Sequence, residues 1–207
     1  MVTHTIRGDA LLASVKLGGG SYRGPWSNVY RLAAGAVISE AVLRGVVAVV
    51  SGRLFPRARK GQGAMEELAG YVRAESKPDS IKGWLERTGP WAREAIEREL
   101  AADGVARGRV RRILLGTDER LQILDQAAQD EVFATVHDTA SGRRVTTVDE
   151  ALLVLLLGNA AMLQYHVRTM RGRGPRRLLG GLYASLPQDV QAVVTEYERW
   201  HVSGAAD

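Results

Sequence analysis

Thr147-Val148-Asp149-Glu150-Ala151-Leu152-Leu153-Val154-Leu155-Leu156-Leu157-Gly158-Asn159 is the stretch on which the fold turns. Its threonine and the glutamate three residues later have the form of a capping box, in which the hydroxyl accepts from one helix N–H while the carboxylate reaches back to another. From Ala151 to Leu157 every side chain is apolar, and a helix that is apolar all round has to be covered all round. Gly158-Asn159 and Gln164 interrupt the run, well short of the ~20 apolar residues that span a bilayer. The segment therefore predicts a buried central helix, and the remaining chain must supply what encloses it.

That chain has 207 residues, 45% hydrophobic and 25% charged, which suits one core and one globular unit. The expected organisation is a single domain over 1–207, with residues 1–25 a less ordered N-terminal segment and 204–207 a frayed tail. There are no cysteines, so disulfides, thiolate metal sites and cysteine nucleophiles are excluded, and His4, His137, His166 and His201 are too scattered to form a zinc motif. The first residues lack the basic cluster and apolar run of a signal peptide, so a cytoplasmic protein is expected.

Outward from the central helix, Gly18-Gly19-Gly20-Ser21-Tyr22-Arg23-Gly24-Pro25 is a loop. From Trp26, the apolar positions Val29, Tyr30, Ala33, Val37 and Ala41 recur at helical spacing until Gly45. Val46 to Val50, Ser51-Gly52 and Arg53-Leu54-Phe55 read as a hairpin. Two further amphipathic helices follow, Ala64 to Glu75 and Asp79 to Arg87. Gly89-Pro90 then separates these from a helix over Trp91 to Asp103, with Pro90 in its first turn. A second hairpin is expected over Val105 to Gly116, then helices over Asp118 to Val136 and Pro187 to Trp200, with Arg171 to Pro175 as a break. The predicted fold class is mainly α, a single helical domain around a buried apolar helix with two short β-hairpins.

The net charge is +5, from 28 basic and 23 acidic residues, and only Lys16, Lys60, Lys77 and Lys82 are lysines. Three stretches carry several cations and no acid: Arg53 to Lys60, Val105 to Gly116 and Arg168 to Arg177. In an extended chain Arg107, Arg109 and Arg111 would share one face, with Val110, Arg112 and Leu114 on the other. No Gly-x-Ser-x-Gly elbow and no Gly-Lys-Ser/Thr phosphate loop occurs. The acid pairs Glu66-Glu67, Glu97/Glu99 and Asp149-Glu150 fall on predicted helices or their starts, where solvation and capping account for them. No catalytic constellation and no cofactor is implied. Of the four tryptophans, Trp26 alone follows a Gly-rich loop at a helix start, where an indole and helix N–H groups could face a phosphorylated headgroup.

Taken in order, Trp26, Ala34-Gly35-Ala36-Val37-Ile38-Ser39-Glu40-Ala41-Val42-Leu43-Arg44-Gly45 running into a hairpin, Lys82-Gly83-Trp84-Leu85, and Arg93 through Leu100 to Asp103-Gly104-Val105 resemble the Golgi phosphoprotein 3 family. The resemblance implies a mainly helical, non-catalytic domain that binds phosphatidylinositol 4-phosphate at a membrane surface and, in eukaryotes, serves as a Golgi sorting adaptor. It implies Trp26, Arg31 and Arg93 as headgroup residues. Two of the family's arginine positions fall on Ala34 and Pro90, and Arg31, one turn before Ala34, is the substitute. It also implies Arg107, Arg109, Arg111, Arg112 and Leu114 as a hairpin pressed on the membrane. The expected partners are an anionic phospholipid membrane and a protein cargo, for a cytoplasmic, peripherally membrane-associated protein. The competing reading is a winged-helix-like nucleic-acid binder, since helix plus basic hairpin occurs twice. Glu94, Glu97, Glu99 and Asp103 on the would-be recognition helix oppose it by repelling phosphate, so no nucleic-acid partner is expected.

Overall fold

The computed structural model describes residues 4–17, 20–113, 116–167 and 173–203. Two long buried helices organise it, not one. The helix α1 (Ile6–Ala13) leads to α2 (Trp26–Leu43), the hairpin β1 (Val47–Val50) and β2 (Arg53–Pro56), then α3 (Ala64–Ala74) and α4 (Ile81–Ala102). The hairpin β3 (Ala106–Ile113) and β4 (Gly116–Ile123) follows, then α5 (Gln126–Ala140), α6 (Val148–Asn159), a 3-10 turn at Leu163–Tyr165, α7 (Arg173–Ala184) and α8 (Gln188–Ser203). The mainly α class with two antiparallel two-stranded sheets agrees with the sequence expectation.

The helix α6 carries its capping box: Glu150 N–H donates to Thr147 Oγ1 at 3.2 Å, and Thr147 N–H donates to Glu150 Oε2 at 2.9 Å. Ala151 through Leu157 are all buried. The second core helix, α2, is buried without interruption from Leu32 to Val42 and touches α1, α3, α4, α6 and α8. At Gly35, α8 packs tightly against α2. A Cβ there would lie 3.0 Å from the Tyr197 ring and 3.2 Å from Leu156 Cδ2, so any side chain would force the helices apart.

Both hairpins leave a helix by the same device. Gly45 and Gly104 have φ of +70° and +72°. In each case the next residue donates five positions back, Val46 N to Ala41 O at 2.8 Å and Val105 N to Leu100 O at 2.8 Å. This is the glycine-terminated helix end that satisfies orphan carbonyls while reversing the chain. In the first hairpin Ser51 and Gly52 both have positive φ, as a two-residue hairpin turn requires.

Four expectations are corrected. Residues 1–25 are not simply a loose segment: Ile6–Ala13 form α1, capped by Thr5 and buried at Ile6, Leu11 and Leu12. Arg7 anchors it, with Nη1 2.9 Å from Glu40 Oε2 and Nε 2.7 Å from Glu99 Oε2, a pairing distant in sequence. The helices predicted on either side of Pro90 are one helix, α4, with Pro90 inside it. The proline is exposed, and the helix runs on through it although it offers no N–H to the carbonyl of Glu86. Meanwhile Gly89, on the buried side, sits against Tyr30 of α2.

The second hairpin is longer than predicted. Asp118 to Ile123 belong to β4, and the helix starts only at Gln126, where Asp125 accepts from Ala128 N–H. Leu121 is spaced for a helix running on to Leu124, but the structure buries it by strand alternation. Finally, α7 occupies a stretch read only as a break, because Pro175 lies in its first turn, where a missing N–H costs nothing. The predicted tail 204–207 lies outside the described residues.

Candidate functional site

The loop ahead of α2 is extended, with Tyr22 bridged to Val15 and Arg23 N–H donating to Ser14 O at 2.6 Å. Successive side chains of an extended segment point to opposite sides. Tyr22 turns toward α4, where its hydroxyl donates to Glu97 Oε1 at 2.6 Å. Trp26, the first residue of α2, is half-buried and lies 5.0 Å from the Tyr22 ring and 5.7 Å, stacked, from Tyr30 one turn along.

Arg93 from α4 completes this cluster. Its guanidinium is 5.1 Å from the centre of the Trp26 ring and 5.6 Å from that of Tyr30. It is only 8% exposed. Nη1 lies 2.8 Å from Glu119 Oε2 on β4 and 3.1 Å from Glu97 Oε1, with Glu94 further out at 3.9 Å. The Glu119 contact is ionic, since neither Arg93 Nε nor Glu119 Oε2 has a hydrogen-bond partner. Burial opposes the Arg93 charge, but Glu97, Tyr22 and Glu119 outweigh it and raise its pKa. Burial and the Glu97 carboxylate push the Tyr22 phenol up as well, so it stays a donor. Arg93 is thus charged, shielded and already neutralised by protein carboxylates.

Of the three headgroup residues that the resemblance implies, the structure brings Trp26 and Arg93 together. Arg31 is placed elsewhere, its guanidinium 5.1 Å from the centre of the Trp200 ring on α8. The family position that falls on Ala34 is fully buried, and the one on Pro90 faces solvent. Glu97, Glu119 and Tyr22 were not foreseen as members of the cluster. For Glu119 the available signal was the alternation of Leu121 and Ile123, with Asp125 as cap, which reads as strand then helix start.

On the hairpin, register puts Arg107 opposite Gln122 and Arg109 opposite Arg120. Arg107 Nε donates to Gln122 Oε1 at 3.0 Å, and Arg107, Arg109 and Arg120 are all exposed. The opposite face of the same ladder buries Ala106 and Leu121 and directs Glu119 to Arg93. Val110 is 69% exposed. Arg111 and Arg112 pair through their backbones with Asp118 and Thr117. Their side chains, and all of Leu114, lie outside the described residues.

The arrangement is therefore a helical domain with a basic hairpin fastened to its body through an arginine–aromatic–carboxylate cluster. The chain belongs to the Golgi phosphoprotein 3 (GPP34) family, whose model matches residues 9–197. No curated protein matches it. Among the described residues no helix is long and apolar enough to cross a membrane.

Proposed function

We propose that the protein is a peripheral membrane-binding domain that takes anionic phospholipid headgroups, of the phosphoinositide class, at the cytoplasmic face of a membrane. It acts by binding alone, without a catalytic step, and can serve as an adaptor for a protein cargo.

The observation that carries this reading is the solvent face of the β3–β4 hairpin, where Arg107 and Arg109 face out beside Arg120 on the neighbouring strand. Exposed cations gathered on one face of a ladder present their charge to an anionic surface. Each cation near such a surface contributes about 1 kcal/mol. Membership of the family supports the same reading. A headgroup phosphate could reach Arg93 only by displacing Glu97 and Glu119, so the hairpin is the first point of attachment.

Sedimentation with phosphatidylcholine vesicles, with and without phosphatidylinositol 4-phosphate or phosphatidylserine, tests this. Binding is expected only to the anionic vesicles and should weaken as salt rises. Equal partition to neutral and anionic vesicles would sink the reading, and a nanomolar, sequence-dependent shift of duplex DNA would replace it with the nucleic-acid alternative.

A further inference from the structure

Arg23 points away from Tyr22, to the other side of the loop, and meets a different environment. Its guanidinium is 5.2 Å from the centre of the Phe133 ring on α5 and 5.5 Å from that of Tyr165 in the 3-10 turn. Nε donates a long bond, 3.3 Å, to Val15 O. Among the described residues no carboxylate pairs with it. By contrast the buried or half-buried Arg7, Arg44 and Arg93 are each held by acids.

The neighbouring imidazole adds no negative charge. His166 Nε2 lies 2.9 Å from Ala13 O, its ring packs edge-on to Phe133, and its Nδ1 has no hydrogen-bond partner. Burial, followed by the charge of Arg23, holds His166 down at about 4, so it is neutral near pH 7. Burial likewise lowers the Arg23 pKa, and no acid offsets it.

We propose that Arg23, held between Phe133 and Tyr165, is the centre of an anion site that binds a phosphate group, separate from the Trp26–Arg93 cluster and from the basic hairpin. The aromatic rings fix the guanidinium through its face and leave its edge as the recognition element. A guanidinium edge offers paired donors that match two phosphate oxygens. One feature favours a multiply charged phosphate over a lone carboxylate. The α2 N-terminus begins two residues beyond Gly24 with Pro25 at its cap and no side-chain acceptor, so its positive end is unneutralised. Tyr165 is 45% exposed, which leaves the site open to a ligand carried on a lipid or in solution.

Two measurements on the full chain decide it. In the first, the arginine Nε–Hε resonances are followed by NMR during titration with inorganic phosphate, against potassium chloride at matched ionic strength. A saturable phosphate-specific shift is expected for the resonance that Arg23→Gln removes. In the second, vesicles of phosphatidylcholine with phosphatidylinositol 4-phosphate are used. Loss of a generic surface arginine should weaken binding roughly fivefold, and Arg57→Gln, exposed on the β2–α3 connection, supplies that baseline.

For a lipid-borne phosphate, Arg23→Gln should weaken vesicle binding more than tenfold. Tyr165→Ala, which removes no charge, should weaken it severalfold, an effect that electrostatics alone would not produce. If phosphate shifts Arg23 while vesicle binding follows the baseline, the ligand is a soluble phosphate. If phosphate does no more than chloride, and Arg23→Gln and Tyr165→Ala bind vesicles as the baseline does, the site is overturned while the hairpin reading stands. If the unaltered protein ignores anionic vesicles, the membrane reading fails and the phosphate titration alone decides the site.

Discussion

Tyr22 and Arg23 are neighbours on one extended loop, and the structure treats a guanidinium in opposite ways on its two sides. On the Tyr22 side, Arg93 lies over Trp26 and Tyr30 and is gripped by Glu97 and Glu119. On the Arg23 side the aromatic support is similar, with Phe133 and Tyr165 at comparable distances, but no carboxylate arrives among the described residues. A cation neutralised by carboxylates from two elements becomes a fastening, here between α4 and the β3–β4 hairpin. A cation held only by ring faces keeps its field, because a quadrupole orients a charge without cancelling it. The hairpin shows the same division: Glu119 faces inward to Arg93, while Arg107, Arg109 and Arg120 face out. Charge that fastens and charge turned to solvent are thus separated across a strand's two faces.

The largest effect should come from breaking the fastened side. Arg93→Ala leaves Glu97 and Glu119 close together and partly buried without their cation, and removing one partner of a buried pair costs about 3–5 kcal/mol. Denaturant unfolding measures it, and adding Glu119→Gln in the same chain should recover part of the loss through a positive coupling energy. A loss below about 1 kcal/mol would mean that Arg93 is not a fastening and is available to a headgroup. Next in size is the free side of the hairpin. Arg107→Glu with Arg109→Glu should change stability by no more than about 0.5 kcal/mol for each exposed site. It should also remove about 2 kcal/mol of attraction to anionic vesicles, roughly 30-fold in affinity before repulsion is counted. Unchanged vesicle binding by the folded double variant would leave the hairpin as ordinary solvated surface.

An effect of similar size should appear in acid. His166 has its pKa depressed to about 4 by burial and by the nearby Arg23 and His137. In the unfolded chain it takes up a proton below about 6.5, which the folded protein refuses until about pH 4. Stability from this group is therefore fully present above pH 6.5 and lost as pH falls toward 4, on the order of 3 kcal/mol. His166→Gln should flatten that part of the pH–stability curve. A curve unchanged by the substitution would mean that His166 is protonated as readily in the fold as out of it.

Sequence reading reached the parts of this molecule whose logic is local. Capping at Thr147, periodicity along α2, and the Ser51-Gly52 turn are each written within a few residues. It failed where tertiary contact outvotes a local signal: Pro90 ends a helix by rule but sits harmlessly on the wet face of α4. Leu121 fits a helical stripe, yet a strand buries it. The α1 helix was obscured because Arg7 looks like a surface residue until Glu40 and Glu99 arrive from distant elements. The site follows the same pattern. Trp26 and Arg93 were reachable through family resemblance, whereas the carboxylates that neutralise Arg93, and the absence of any acid on Arg23 among the described residues, depend on which elements meet.

The smallest expected effect is on the stability cost of removing Arg23, and it sharpens the comparison most directly. Arg23→Gln deletes two cation–π contacts, each worth about 0.5–1 kcal/mol at a partly exposed site, and a long hydrogen bond to Val15 O. Against that, it removes a partly buried charge that no acid compensates, and so recovers some desolvation cost. The two terms oppose each other, and the net change should not exceed about 1 kcal/mol, several-fold less than for Arg93→Ala. Thermal or denaturant unfolding of the two variants under one set of conditions makes the comparison. A loss at Arg23 as large as that at Arg93 would show that the ring-held guanidinium is as much a fastening as the carboxylate-held one, and the distinction between the two sides of the loop would collapse.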